Sequence, residues 1–137
     1  MGLKFHDDKV VPSNGWVYVF AANLGGKLTS PKARIARNNF RVAYGTAEGR
    51  SEMAYALPVR DRKMALLPLD FVASAVARFI EHARQRPREE FFITRIGCEE
   101  GEFDEREMAS LFAACPENCS LPEAWRDHVQ ALATSTP

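Results

Sequence analysis

Glu90-Phe91-Phe92-Ile93-Thr94-Arg95-Ile96-Gly97-Cys98-Glu99-Glu100-Gly101-Glu102 is the stretch on which the fold turns. Its first half, around Phe91-Phe92-Ile93, is apolar and β-prone, and is expected as a strand over 90–96. It closes in a turn bearing Gly97 and Gly101. Asp104, with Glu107 three residues on, then gives a capping-box-like start to an amphipathic helix. Strand, glycine turn, helix is the layout in which α/β proteins place a ligand beyond the carboxyl end of a strand. The turn also carries Glu99, Glu100 and Glu102, which suit a phosphate-cradling loop poorly.

Working upstream, Pro68 opens a helix whose apolar stripe is Val72, Val76, Phe79, Ile80 and Ala83, ended by Pro87. Before it, Met53 to Val59 reads as a strand closed off by Pro58, and Gly45 to Glu52 as a loop. Phe40 to Tyr44 is a short strand candidate. Thr29 or Ser30 caps a helix with Pro31 at its first position, running to about Asn39. Trp16 to Ala22 is apolar on nearly every residue, the pattern of a strand buried on both faces. Residues 1–15 read as an N-terminal arm or a short edge strand.

Downstream, Met108, Leu111, Phe112 and Cys115 give the stripe of the helix begun at Asp104, with Pro116 as its stop. Asn118 to Leu121 has the look of a very short strand. Pro122 to Ala133 reads as a last helix burying Trp125, Val129 and Leu132, followed by a frayed tail at 134–137. The alternation implies one α/β domain over 16–133, a mixed and mostly parallel sheet covered on both sides.

A chain of 137 residues with 46% hydrophobic and 26% charged residues is of ordinary globular composition. Cys98, Cys115 and Cys119 are odd in number and follow no secretory h-region, which points to reduced thiols in the cytoplasm. No apolar run is long enough to span a membrane. Net charge is zero but unevenly spread: Lys27 to Lys63 carries nine basic and three acidic residues, and Glu89 to Glu107 eight acidic and two basic. Either these are two solvated faces, or they attract one another within the fold or between subunits. Zero net charge without aromatic-basic interleaving argues against nucleic acid. Neither Glu99, Glu100, Glu102 and Asp104 nor Cys115, Cys119 and His128 has the spacing of an established metal motif, so no metal or other cofactor is assigned.

Four stretches together resemble a family of small phage and prophage non-structural proteins. They are Val19-Phe20-Ala21-Ala22-Asn23-Leu24-Gly25-Gly26, Tyr55-Ala56-Leu57-Pro58 with Arg60-Asp61, Phe92-Ile93-Thr94-Arg95-Ile96-Gly97-Cys98, and Asn118-Cys119-Ser120-Leu121-Pro122 with Trp125. That family's layout is similar in turn to macro domains, three-layer α/β/α modules in which an asparagine after a core strand and two glycine-rich loops hold ADP-ribose or a relative. The resemblance implies a macro-domain-like mixed sheet with Asn23 as the site asparagine. Gly25 and Gly26 fall in the first loop, and Gly97 to Phe103, with Cys98 and Gly101, in the second. Arg60 and Arg95 are candidate cations for a small nucleotide-like ligand.

The chain departs from the family at both loops. A His-Gly-x-Gly segment is replaced by Leu28-Thr29-Ser30-Pro31, and Gly-Leu-Ala-Gly by Glu99-Glu100-Gly101-Glu102. Lost glycines restrict close backbone approach, and Pro31 removes an N–H. Two readings follow. One is a module that binds ADP-ribose or a related nucleotide derivative, degenerate to some degree. The other is a non-catalytic phage or prophage accessory protein acting through a protein partner, or as a homodimer burying Trp125 or the last helix. Asn23 as a plain turn residue and Arg95 as a structural ion pair are the alternatives for those two positions, and a buried, inert thiol is the reading for Cys98. No nucleophile–base pair is evident.

Overall fold

The computed structural model describes residues 3–134. Six strands form one sheet: β1 (Lys4–His6), β2 (Trp16–Asn23), β3 (Gly49–Ser51), β4 (Ala54–Arg60), β5 (Glu90–Ile93) and β6 (Cys119–Pro122). The helices are α1 (Pro31–Phe40), α2 (Leu69–Arg84), α3 (Glu105–Leu111) and α4 (Arg126–Thr134), with a single 3-10 turn at Glu123–Trp125. Strand order is β1-β6-β5-β2-β4-β3, parallel throughout except for β3 on β4. Among the described residues no helix is long and apolar enough to cross a membrane.

Alternation along the strands sorts side chains into two cores. Val17, Val19, Tyr55, Leu57 and Val59 face α2, α3 and α4, where they meet Val72, Val76, Phe79, Met108, Phe112 and Trp125. Tyr18, Phe20, Ala54, Ala56 and Phe92 face α1, where they meet Ala33, Ala36 and Phe40. β2 is buried on both sides, as its unbroken apolar run requires. The architecture is therefore three layers, α/β/α, as the sequence implies.

Several boundaries differ from the sequence reading. Phe40 to Tyr44 is not a strand. Phe40 ends α1, Arg41 adopts φ +64°, and the N–H groups of Arg41 and Val42 bond back to Arg37 and Ala36. This is a left-handed helix cap whose buried Phe40 and Val42 look strand-like only in one dimension. Part of the expected loop at 45–52 is strand β3, too short and polar to stand out. Pro58 lies inside β4 rather than ending it. β3 reaches only as far as Ala56, so the strand has no ladder partner on that side at Pro58. Of the stretch expected over 90–96, only Glu90–Ile93 is strand, and α3 stops at Leu111 well short of Pro116.

At the ends, Lys4–His6 pairs in parallel with β6, which makes it an edge strand rather than an unattached arm. Trp125 is fully buried within the chain, so it is no subunit contact. It sits on the 3-10 turn before α4, which breaks the helical count from Trp125, and Leu132 is consequently exposed. Of the expected tail, Thr134 closes α4, and 135–137 lie outside the described residues.

Asn118 ties these layers together. Its Nδ2 donates to the carbonyls of Ala83 (3.0 Å), Arg86 (2.9 Å) and Glu89 (3.1 Å), joining the end of α2, the entry to β5 and the entry to β6. Asn118→Ala removes the one side chain that bridges these three carbonyls, two of which keep a backbone N–H donor, and is expected to cost roughly 1–3 kcal/mol, read as a lower urea midpoint at unchanged slope.

Candidate functional site

β2 is the switch point of the sheet. The chain leaving its carboxyl end goes to α1 on one face, whereas the chains leaving its neighbours β4 and β5 go to α2 and α3 on the other. Diverging connections leave a crevice at the strand ends. A cavity of about 480 Å³ lies there. Its floor is Ala21, Ala22 and Asn23 of β2 with Val59 and Arg60 of β4. One wall is the segment from Lys27 to Lys32, and the other comprises Glu99, Glu100 and Glu102.

The first loop is held by Asn23. Its Nδ2 donates to the Lys27 carbonyl (2.9 Å), and its Oδ1 accepts from the Lys27 N–H (3.1 Å). Asn23 thus lines the cavity with both ends of its amide committed to closing the turn. Gly26, at φ +69°, lets the loop lie against the 43–46 turn: a Cβ there would sit 2.4 Å from the Gly45 backbone, and Gly45 N–H bonds to the Gly26 carbonyl. Gly25 packs beside the Asn23 amide. Neither glycine lines the cavity. Ser30 caps α1 through a bond from the Ala33 N–H, and Pro31 occupies its first turn.

In the second loop the Thr94 to Cys98 stretch is built for packing. Thr94 ends β5 by donating both its N–H and its hydroxyl to the Val19 carbonyl. Arg95 turns away from the cavity onto Glu105, whose carboxylate also accepts from Trp125 Nε1 (2.7 Å). Burial opposes ionisation of Glu105, but the hydrogen bonds from Arg95 and Trp125 hold its carboxyl below the usual range. Gly97, at φ +76°, permits close packing of Phe103 and Met108. The Cys98 thiol is pushed up to about 12, first by burial and then by Glu105, so it stays protonated. Arg95, Gly97, Cys98 and Gly101 are absent from the cavity lining.

Two of the cavity's three cations, Arg60 and Lys32, are paired with its carboxylates. Arg60, steadied by a 2.9 Å bond to the Met64 carbonyl, has Nη2 3.5 Å from both Glu100 and Glu102. Lys32 spans Glu99 (3.4 Å) and Asp8 (3.8 Å). Attraction within the fold is therefore one destination of the segregated charge in the sequence. Of the site residues expected from sequence, Asn23 and Arg60 meet here. Lys32, Lys27 and the three glutamates were not among them. The signal for Lys32 was its place in the first turn of a helix leaving the central strand. Among the described residues no group of three His, Cys, Asp or Glu side chains is placed to hold a metal ion.

Behind this wall the α1 face holds buried polar groups. His6 stacks on Phe92 at 3.6 Å and bonds Ser120 Oγ through Nδ1 (2.7 Å). Burial pushes the His6 imidazole down to about 4 from its ordinary 6.5, and His82 is likewise lowered to about 4, chiefly by burial. Below pH 6.5 the unfolded chain binds protons that the folded chain refuses, so stability present above that pH is lost towards pH 4. Glu99 has the opposite sign: burial raises its carboxyl more than Lys32 lowers it, so stability is lost as pH rises through its folded value. His6→Phe should flatten part of the fall in melting temperature between pH 6.5 and 4. Glu99→Gln should raise the melting temperature at pH 7 and gain less in acid.

No protein-family model matches the chain, and no curated protein matches it by sequence. Among solved structures, the macrodomain of Mycobacterium tuberculosis DarG superposes with a TM-score of 0.63 at 11% sequence identity, covering 88% of this chain and 96% of that one. At that identity the likeness concerns the fold alone. With its six-stranded mixed sheet and helices on both faces, the chain is a single-domain α/β protein of macrodomain-like fold.

Proposed function

We propose that the cleft at the end of β2 binds ADP-ribose or a related nucleotide derivative. The observation that carries this reading is the position of a cavity of about 480 Å³ at the switch point of a macrodomain-like sheet. Its volume is within the usual range for small-molecule sites. Its floor is apolar at Ala21, Ala22 and Val59, and its rim is polar, with Arg60, Lys27 and Lys32 as cations and the backbone of two loops. That combination suits a flat heterocycle joined to a charged, hydroxylated chain. The Thr94 to Cys98 motif supports kinship with small phage and prophage non-structural proteins.

One specific observation favours a second reading. Arg60 and Lys32 are both engaged by the chain's own carboxylates. A cleft with two of its three cations paired internally also suits an accessory protein that has given up its small ligand and works through a protein partner.

The test is a thermal-shift titration with ADP-ribose, NAD and AMP, followed by calorimetry. Ligand at 100 times the dissociation constant should stabilise by about 2.7 kcal/mol. Thr29→Trp, which fills the cleft from its exposed wall, should abolish the shift while the ligand-free melting temperature holds. A flat response of the native chain to all three at millimolar concentration overturns the ligand reading in favour of the second.

A further inference from the structure

We infer that the Glu102 carboxylate occupies the anion position of the cleft and sets how strongly it discriminates against phosphate. This rests on the nucleotide reading for the identity of the ligand, but not for the role of the carboxylate.

Glu102 is unlike its neighbours. Its side chain is 8% exposed, whereas that of Glu100 is 70% exposed. Its Oε1 accepts the Glu100 backbone N–H at 2.9 Å, and its Oε2 faces Arg60 at 3.5 Å. A loop N–H and a guanidinium converging on two oxygens is the donor set that captures an anionic oxygen of a ligand. Here the loop supplies that oxygen itself. Arg60 is fixed from the far side by the Met64 carbonyl, so it cannot follow a ligand elsewhere without losing that bond. Glu99, on the same wall, pairs with Lys32 at 3.4 Å but, among the described residues, accepts no loop N–H of this kind.

A phosphate entering this position meets a carboxylate already bound to its donors. It must displace Glu102 into solvent or sit beside a like charge, and either outcome costs affinity. A neutral nucleoside escapes that penalty. The carboxylate therefore makes the cleft selective by repulsion rather than by contact.

The experiment compares native protein and Glu102→Gln by calorimetry against adenosine, ADP-ribose and inorganic pyrophosphate. Glutamine keeps an oxygen for the Glu100 N–H and deletes the charge. We expect at least tenfold tighter binding of ADP-ribose and pyrophosphate, with adenosine unchanged. Arg60→Ala in the Glu102→Gln background should erase the gain, and Glu107→Gln, the same charge change on an exposed face of α3, should produce none. Matching melting temperatures show that the variants fold. A gain for pyrophosphate without one for ADP-ribose upholds the role of Glu102 and sinks the nucleotide reading. Equal affinities of native and Glu102→Gln for both anions overturn the inference, and if both bind ADP-ribose the nucleotide reading survives alone.

Discussion

Everything in this fold hangs on β2 being buried from both sides. A strand with apolar residues on both faces is stable only between two covering layers, and it must have strands on both edges to satisfy its backbone. Here β4 and β5 flank it, and Val17 and Val19 look one way while Tyr18 and Phe20 look the other. Once both faces need helices, the connections on its two sides must part to opposite layers. The crevice at Asn23 is the geometric result of that parting. It would exist whatever residues lined it.

What lines it is a matter of charge. Three glutamates on the second loop meet Lys32 and Arg60 across the gap, so their wall is stitched to the opposite wall and to the floor by ion pairs of 3.4 to 3.5 Å. Partly exposed pairs of this kind stabilise little individually. Their effect is on the electrostatic character of the cleft, which is balanced rather than positive. The two loops themselves are held by independent means: the first by the Asn23 amide and the Gly26 approach to Gly45, the second by Gly97 against α3 and by Arg95 on Glu105. Loop shape and cleft charge are thus separable properties.

The layers and most of the sheet were legible in the sequence because they rest on periodicity: the stripe of α2, the double-sided run of β2, the proline and serine at the start of α1. What escaped was set by tertiary context. The cap at Arg41 depends on a left-handed backbone that arginine does not advertise, and β3 exists because β4 offers it an edge. At the site, residue type alone could not say which way Arg95 points. It sits two residues beyond β5, where its guanidinium pairs with Glu105, a carboxylate that the Trp125 indole N–H also holds. Both segments singled out around Asn23 and after Thr94 lead to the cavity, yet several of the side chains that face it, Lys32 and the three glutamates among them, carry no ligand signal of their own. Those residues are reached only when the strand ends are brought together in space.

The sheet's two margins carry a different lesson. β1 and β3 are each three residues long, one parallel and one antiparallel. A sheet recruits foreign strands through a long, flat row of unpaired backbone groups, and neither border offers one. Arg50 of β3 further commits its guanidinium to Glu89 through paired bonds of 2.8 and 2.9 Å. Among the described residues, cross-chain backbone ladders, the opening step of amyloid-like stacking, therefore find no long template at either border of the sheet.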